Sequence, residues 1–242
     1  MADIIKKNDF IELDFTGRVK NSEIFDTNIS EEAKKIGLEI ETRPLIICVG
    51  QNMILPAIDE FLEGKELGKY TLELPPEKAF GLRNTEYLKT MPIKIFHEKK
   101  IVPQPGMVFQ FDNLIGRVSA VSGGRVIVDF NNPLAGKEVV YDLNTKKKIQ
   151  DTKEKAEVLI NFYLKQKLDF EIQDKKLLIK AEKKFSQIID IFKPKFKEIL
   201  DLDIEVKELE KEKETKPEEK PQETKEKAKD SLSTPLDDDK VT

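Results

Sequence analysis

Ten residues near the start of the chain restrict its fold more than any other stretch. From Phe10 to Val19, Ile11, Leu13, Phe15, Gly17 and Val19 alternate with Glu12, Asp14, Thr16 and Arg18. Successive side chains of a strand point to opposite faces, so this pattern predicts a strand with one face buried and one face wet. Such a strand needs partners and a covering layer. Asn21-Ser22 marks a hairpin turn into a returning strand at Ile24-Phe25, and Pro44 to Val49 reads as an apolar strand ending at Gly50. The charged segment 30–43 between them reads as a flap or loop with a short amphipathic stretch, Glu31 to Ile40. Met53 to Leu62 is the covering helix: Ile54, Leu55, Ile58, Phe61 and Leu62 recur at helical spacing, Pro56 is tolerated in its first turn, and Gly64 stops it. Tyr70 to Leu74 is a further strand closed by Pro75-Pro76, with Ala79-Phe80-Gly81 in the loop after it.

From Leu82 the pattern changes. Met91 to Phe96 and Met107 to Phe111 are apolar segments separated by Pro103-Gln104-Pro105-Gly106. Leu114 to Val121 and Arg125 to Phe130 form a hairpin across Ser122-Gly123-Gly124. The tight connection Asn131 to Gly136 leads to a last strand, Glu138 to Leu143, whose poor alternation fits a central place in a sheet. A polar link follows Asn144. A helix with Thr152 as N-cap carries Ala156, Leu159, Ile160 and Tyr163 on one face. Phe170–Ile172 and Leu177–Ile179 read as a hairpin, Phe185 to Leu200 as a helix interrupted at Pro194, and Ile204–Val206 as a short strand. Beyond about Lys211 the chain is almost pure Lys, Glu, Asp, Pro, Ser and Thr. That stretch cannot bury enough apolar surface to offset chain entropy and is expected to be disordered.

Composition excludes several classes. The net charge of -4, with Lys and Glu interleaved, gives no general attraction to nucleic acid. Cys48 is the only cysteine, so no intramolecular disulfide forms, and in an apolar strand it reads as inert core. His97 is the only histidine and reads as a surface residue; no metal site and no cofactor is expected. The beginning of the chain has no apolar stretch like a signal peptide, and no run reaches the roughly 18 apolar residues of a membrane span. The expected location is the cytoplasm.

Four segments, in order, carry a family resemblance: Phe25-Asp26-Thr27, Met53 to Gly68, Ala79-Phe80-Gly81, and Asn132 to Tyr141. They resemble the FKBP-type peptidyl-prolyl isomerases. The third and fourth stand about 50 residues apart, where a minimal member of that family has only a short loop. That gap is similar to the SlyD-like proteins, whose insert-in-flap domain is a chaperone, and the further α+β unit resembles their long archaeal form. The resemblance implies an α+β fold: an FKBP-type antiparallel sheet wrapped on a short helix, an inserted β-rich domain, and a small C-terminal α+β domain before the tail. The implied boundaries are 1–83 with 131–145 for the discontinuous isomerase domain, 84–130 for the insert, 150–208 for the C-terminal domain and 209–242 for the tail.

Rotation about an X-Pro bond meets a barrier of roughly 18–20 kcal/mol because the twisted amide loses its resonance. No nucleophile, metal or proton shuttle is needed. A dry apolar pocket that favours the twisted amide suffices, since removing water weakens the charge-separated resonance form. By position, the resemblance implies catalytic roles for Asp26, Phe80 and Tyr141 and substrate contacts from Phe15, Phe25, Leu45, Ile54, Leu55 and Ile58, with the Leu55 N–H as a hydrogen-bond donor. Taken alone, Phe15, Phe25 and Leu45 also fit plain core residues, and Asp26 a turn residue. The family's usual Trp on the pocket floor is Ile58 here, its loop Tyr is Phe80, its first-strand Tyr is Phe15, and a Gly beside the floor residue is Ala57. Fewer polar groups therefore orient the substrate.

In the insert, Met91, Ile93, Phe96, Met107 and Phe109 are the expected chaperone surface, because a domain this small cannot bury all its apolar residues. The expected partners are unfolded or nascent polypeptides with X-Pro bonds, without nucleic acid or membrane, and residues 150–208 are a candidate homodimer contact. The alternative, from a different class, is a non-catalytic holdase that keeps only the scaffold.

Overall fold

The computed structural model describes residues 3–37, 44–111, 114–182 and 185–208. The alternating stretch is β1 (Phe10–Val19), and the first sheet is assembled around it. After β1 the chain reverses through Asn21, at φ 58°, and returns as β2 (Ile24–Thr27). β2 and β3 (Leu45–Cys48) share one edge of β1 end to end: Thr16 to Arg18 pair with β2, and Phe10 to Leu13 pair with β3. β9 (Val139–Lys148) runs along the other edge, and β4 (Lys69–Leu74) lies beyond it; every pairing is antiparallel. Within the segment expected as a flap, Ser30–Lys35 forms the short helix α1, and residues 38–43 lie outside the described residues.

The covering helix α2 is shorter than expected, Pro56–Leu62. A proline disfavours helical backbone in the residue before it, so Met53 to Leu55 stay in a loop and Pro56 takes the first helical position. Ile58 and Leu62 pack from α2 onto Ile11, Leu13, Leu74, Val139, Tyr141 and Leu143 of the sheet. The strand expected to stop near Leu143 continues as β9 to Lys148. Its polar end is compatible with a strand because the neighbouring charges are opposite: Lys146 meets Asp14 at 2.7 Å, Lys147 meets Glu12 at 3.1 Å and Lys148 meets Asp9 at 2.8 Å.

The second sheet is built wholly from residues between β4 and β9. β5 (Leu88–Pro92), β6 (Val108–Phe111), β7 (Leu114–Ser122) and β8 (Arg125–Asp129) pair antiparallel in the order β5-β8-β7-β6. The two chain crossings into this sheet are tied together. Asn84 N–H donates to Asn131 Oδ1 at 2.8 Å, and Asn131 Nδ2 returns a bond to the Asn84 carbonyl at 2.9 Å. The apolar run expected from Met91 to Phe96 divides: the strand ends at Pro92, and Ile93–Glu98 forms α3. The core here is small, with Phe96, Val118, Val126 and Val128 buried and Phe109, Phe111 and Phe130 packed partly against them. Gly116 allows the close approach, since a Cβ there would stand 2.5 Å from Val128 and 2.8 Å from Phe130.

The third group comprises α4 (Thr152–Leu164), β10 (Phe170–Gln173), β11 (Lys176–Ala181), α5 (Ser186–Leu200) and β12 (Asp203–Glu208). β10 and β11 form the expected hairpin, and β12 joins β11 in parallel because α5 intervenes as a crossover. The N-cap of α4 is Asp151 rather than Thr152, its Oδ1 accepting the Glu154 N–H at 2.7 Å. α5 runs through Pro194 without the expected interruption; burial of Ile189 and Phe196 on either side of it outweighs the lost backbone bond. The core of this group takes in Phe10 and Cys48 of the first sheet. The tail expected to be disordered lies outside the described residues.

Candidate functional site

The first sheet and α2 enclose a cleft of about 280 Å³ lined by Leu13, Phe15, Asp26, Leu45, Met53, Ile54, Leu55, Ile58, Phe80, Tyr141 and Leu143. Six elements contribute: β1, β2, β3, β9, the loop into α2 with α2 itself, and the loop after β4. Ile58 and Tyr141 are buried at its base, while Phe15, Leu45, Ile54, Leu55 and Phe80 are half-buried along its walls.

Local hydrogen bonds set this arrangement. Thr27 and Asn28 lock β2 to β1: Thr27 Oγ1 meets Thr16 Oγ1 at 2.9 Å, and Asn28 Oδ1 accepts the Phe15 N–H at 2.7 Å. Asp26 is thereby held at the rim of the cleft, still open to water. Partial burial pushes its carboxyl above the usual carboxylate range, and a bond from the Thr27 N–H only partly offsets this. Burial, and then the Asp26 charge, pushes the Tyr141 phenol upward. Among the described residues no hydrogen bond occupies the Tyr141 hydroxyl, and none occupies the Leu55 N–H. The cleft therefore has apolar walls, one rim carboxyl, one phenol and, at Leu55, a backbone donor without a partner among the described residues.

Of the nine residues implied for catalysis and substrate contact, eight line the cleft. Phe25 does not and is corrected. Its ring is packed edge-on against Phe80 (centroids 5.6 Å apart) and Tyr141 (5.8 Å), so it props a wall and the base instead of lining the cleft. Gly17 makes room for that ring, since a Cβ there would lie 2.8 Å from Phe25 and 2.9 Å from Tyr141. Leu13, Met53 and Leu143 were missed. The signal for Leu13 and Leu143 was present: each is two residues from an implied wall residue on the same strand face. Met53 had no such signal.

The expected chaperone surface also needs correction. Phe96 is only 3% exposed and centres the small core, because α3 turns it inward against Phe109 and Phe111. Met91, Ile93 and Phe109 are half-buried around it, and Met107 is exposed. The large apolar side chains open to water in this sheet are Val108, Leu114, Ile115 and Ile127, with Ile95 and Val102 nearby in sequence.

Other features do not compete with the cleft. A wider groove of about 510 Å³ is walled by Arg83, Arg117, Asp129, Asn131 and Lys137, and these charged and polar groups keep it hydrated. Among the described residues no three of His, Cys, Asp and Glu stand together as metal ligands, and no helix is long and apolar enough to cross a membrane. Cys48 is buried, and burial pushes its thiol up to about 12, so it is unreactive near neutral pH.

The chain is similar to known proteins. The family model described as FKBP-type peptidyl-prolyl cis-trans isomerase matches residues 2–102. A short-type peptidyl-prolyl cis-trans isomerase of Methanocaldococcus jannaschii is 31% identical over 150 residues, covering 60% of this chain and 95% of that protein. The chain belongs to the FKBP-type peptidyl-prolyl cis-trans isomerases. As a member of that family it is an isomerase, acting on polypeptides. A second model, described as FKBP26, IF domain, matches residues 89–134 of this FKBP-type chain. A probable FKBP-type 16 kDa isomerase of Pseudomonas fluorescens is 29% identical, covering 57% of this chain and 88% of that protein. The FKBP-type isomerase SlyD of Haemophilus influenzae is 32% identical over 104 residues, 41% of this chain and 54% of that protein.

Proposed function

We propose that the cleft between α2 and the first sheet holds the prolyl ring, and that the second sheet captures non-native chains and delivers them to it. The observation that carries this reading is the chemistry of the cleft: apolar walls closed at the base by Ile58 and Tyr141, with Asp26, the Tyr141 hydroxyl and the Leu55 N–H placed to engage a peptide. Apolar walls exclude water from the X-Pro amide and so lower the barrier to twisting. Leu55 donates to a substrate carbonyl, Tyr141 offers a second donor, and Asp26 supplies the one charge at the rim. Phe15 and Phe80 bring no hydroxyl, so orientation rests on these three groups.

In this reading residues 1–83 with 131–145 are the isomerase unit, 84–130 the insert-in-flap chaperone unit, and 150–208 the C-terminal unit of a long archaeal form. The match to a model whose description names an IF domain supports the second assignment, as do the exposed Val108, Leu114 and Ile115. Capture raises the local concentration of prolyl segments at a cleft with few polar contacts, which adds about 100-fold without new contacts in the cleft. The C-terminal unit carries exposed Ile188 and Ile191 on α5 and is the proposed dimer contact.

Replacing residues 84–130 with a short turn tests the division of labour. Acceleration of a proline-limited refolding reaction should fall by about 100-fold, while isomerisation of a tetrapeptide, followed without a coupling protease, should change by less than about threefold. Equal losses on both substrates would overturn it.

A further inference from the structure

The lip of the cleft is a loop. Residues 50–55 carry Met53, Ile54 and Leu55 into the lining without regular backbone pairing, and Asn52 stands at φ 54°. A segment of this kind keeps its shape only through tertiary contacts. Here they come from both sides. On the side of α2 and the first sheet, the Asn52 N–H donates to Asp59 Oδ2 of α2 at 2.8 Å, and the Cys48 N–H of β3 reaches Met53 Sδ at 3.2 Å. On the other side the partner is remote in sequence. Tyr163 of α4 donates from its hydroxyl to Gln51 Oε1 at 3.0 Å, and Gln51 Nε2 donates onward to Asn8 Oδ1 at 2.7 Å. Gln51 is 8% exposed, so these bonds form where water competes little. The Tyr163 ring is clamped by Phe192 of α5, stacked at 4.7 Å, and by Phe196 at 6.0 Å. Met53 packs against both the sheet core and the core of the C-terminal group.

We propose that Tyr163, acting through Gln51 and backed by α5, is a positioning residue for the isomerase cleft. The C-terminal unit thus holds the lip that presents Leu55 to the substrate. This rests on the assignment of the cleft as the prolyl site. Releasing the lip lowers the fraction of molecules in the binding-competent conformation, and apparent affinity falls by that fraction while the bound complex reacts as before.

Tyr163→Phe keeps the stacked ring and removes only the hydroxyl. On a tetrapeptide substrate it should raise KM about fivefold with kcat unchanged, the population shift expected from one ordinary hydrogen bond. Gln51→Ala, which also removes the bond to Asn8, should raise KM at least as much, and the double variant should lose no more than Gln51→Ala alone. Ile179→Val is the control: it trims the buried core of the same unit and removes none of the hydrogen bonds that hold the loop, so KM should stay at the wild-type value. An unchanged KM in Tyr163→Phe with an intact unfolding midpoint would overturn the proposal, and so would an equal rise in Ile179→Val. If Tyr163→Phe does not fold, Gln51→Ala decides from the loop side. Phe80→Ala, measured in parallel, separates the two ideas: if it leaves kcat and KM unchanged, the cleft assignment fails, whatever Tyr163→Phe shows.

Discussion

The first and second sheets use the same side-chain types to opposite ends. In the first, Phe, Ile, Leu and Met surround a cleft backed, among the described residues, by eleven buried ones, from Ile5 to Leu143. In the second, the same kinds of residue stand over a core that among the described residues has four buried members, Phe96, Val118, Val126 and Val128, and several face water. The difference lies in what stands behind each surface. A wall residue such as Phe80 meets the edge of Phe25, which in turn meets Tyr141, so the cleft has a set shape. Among the described residues no layer covers Val108, Leu114 and Ile115, which keep their rotamer freedom. A fixed concave site suits one small ring; an uncovered apolar face suits many unrelated segments.

That contrast breaks most directly at Phe96. Phe96→Ala should cost the second sheet about 3–5 kcal/mol, enough to open a core of four residues. Amide exchange in β7 and β8 should rise steeply while exchange in β1 and β9 stays slow. If protection falls equally in both sheets, the two cores are not independent in the sense used here.

The cleft side sharpens with pH. Burial raises the Asp26 carboxyl above the usual range, so it takes up a proton at a higher pH than an ordinary aspartate. If the carboxylate is the active form, kcat/KM on a peptide should fall about tenfold as the pH drops through that raised value, the yield of roughly 1.4 kcal/mol of lost stabilisation. Asp26→Asn should sit at the low level and show a flat profile. Unfolding does not mimic this. A carboxyl whose pKa is raised by folding makes the ionised fold less stable, and that penalty fades as the pH falls. A wild-type profile as flat as that of Asp26→Asn would remove Asp26 from the mechanism.

The smallest effect on stability should come from the uncovered face. Ile115 is 69% exposed, so Ile115→Ser should shift unfolding by less than about 0.5 kcal/mol. Suppression of client aggregation should nevertheless weaken severalfold, with tetrapeptide isomerisation unchanged. Full aggregation suppression in this variant would place client binding elsewhere.

Much of the lining of the candidate cleft was legible in the sequence. Alternation placed Phe15 on the inner face of β1, Pro56 and Gly64 bracketed the helix that carries Ile58, and four ordered motifs brought Asp26, Phe80 and Tyr141 toward one cleft. Those features are local, set by strand period, by proline and glycine backbone chemistry, and by spacing along the chain. What they do not specify is the neighbour across space. Periodicity marks a side chain as inward without saying whether it meets a ligand or another ring, so Phe25 became a prop and Phe96 a core residue. The sharing of Met53 between two cores and the bond from Tyr163 to Gln51 join positions 110 or so residues apart. Sequence alone determined which elements form and which faces are apolar. Only the tertiary structure decided which of those faces close on each other and which stay open, because burial depends on what packs opposite.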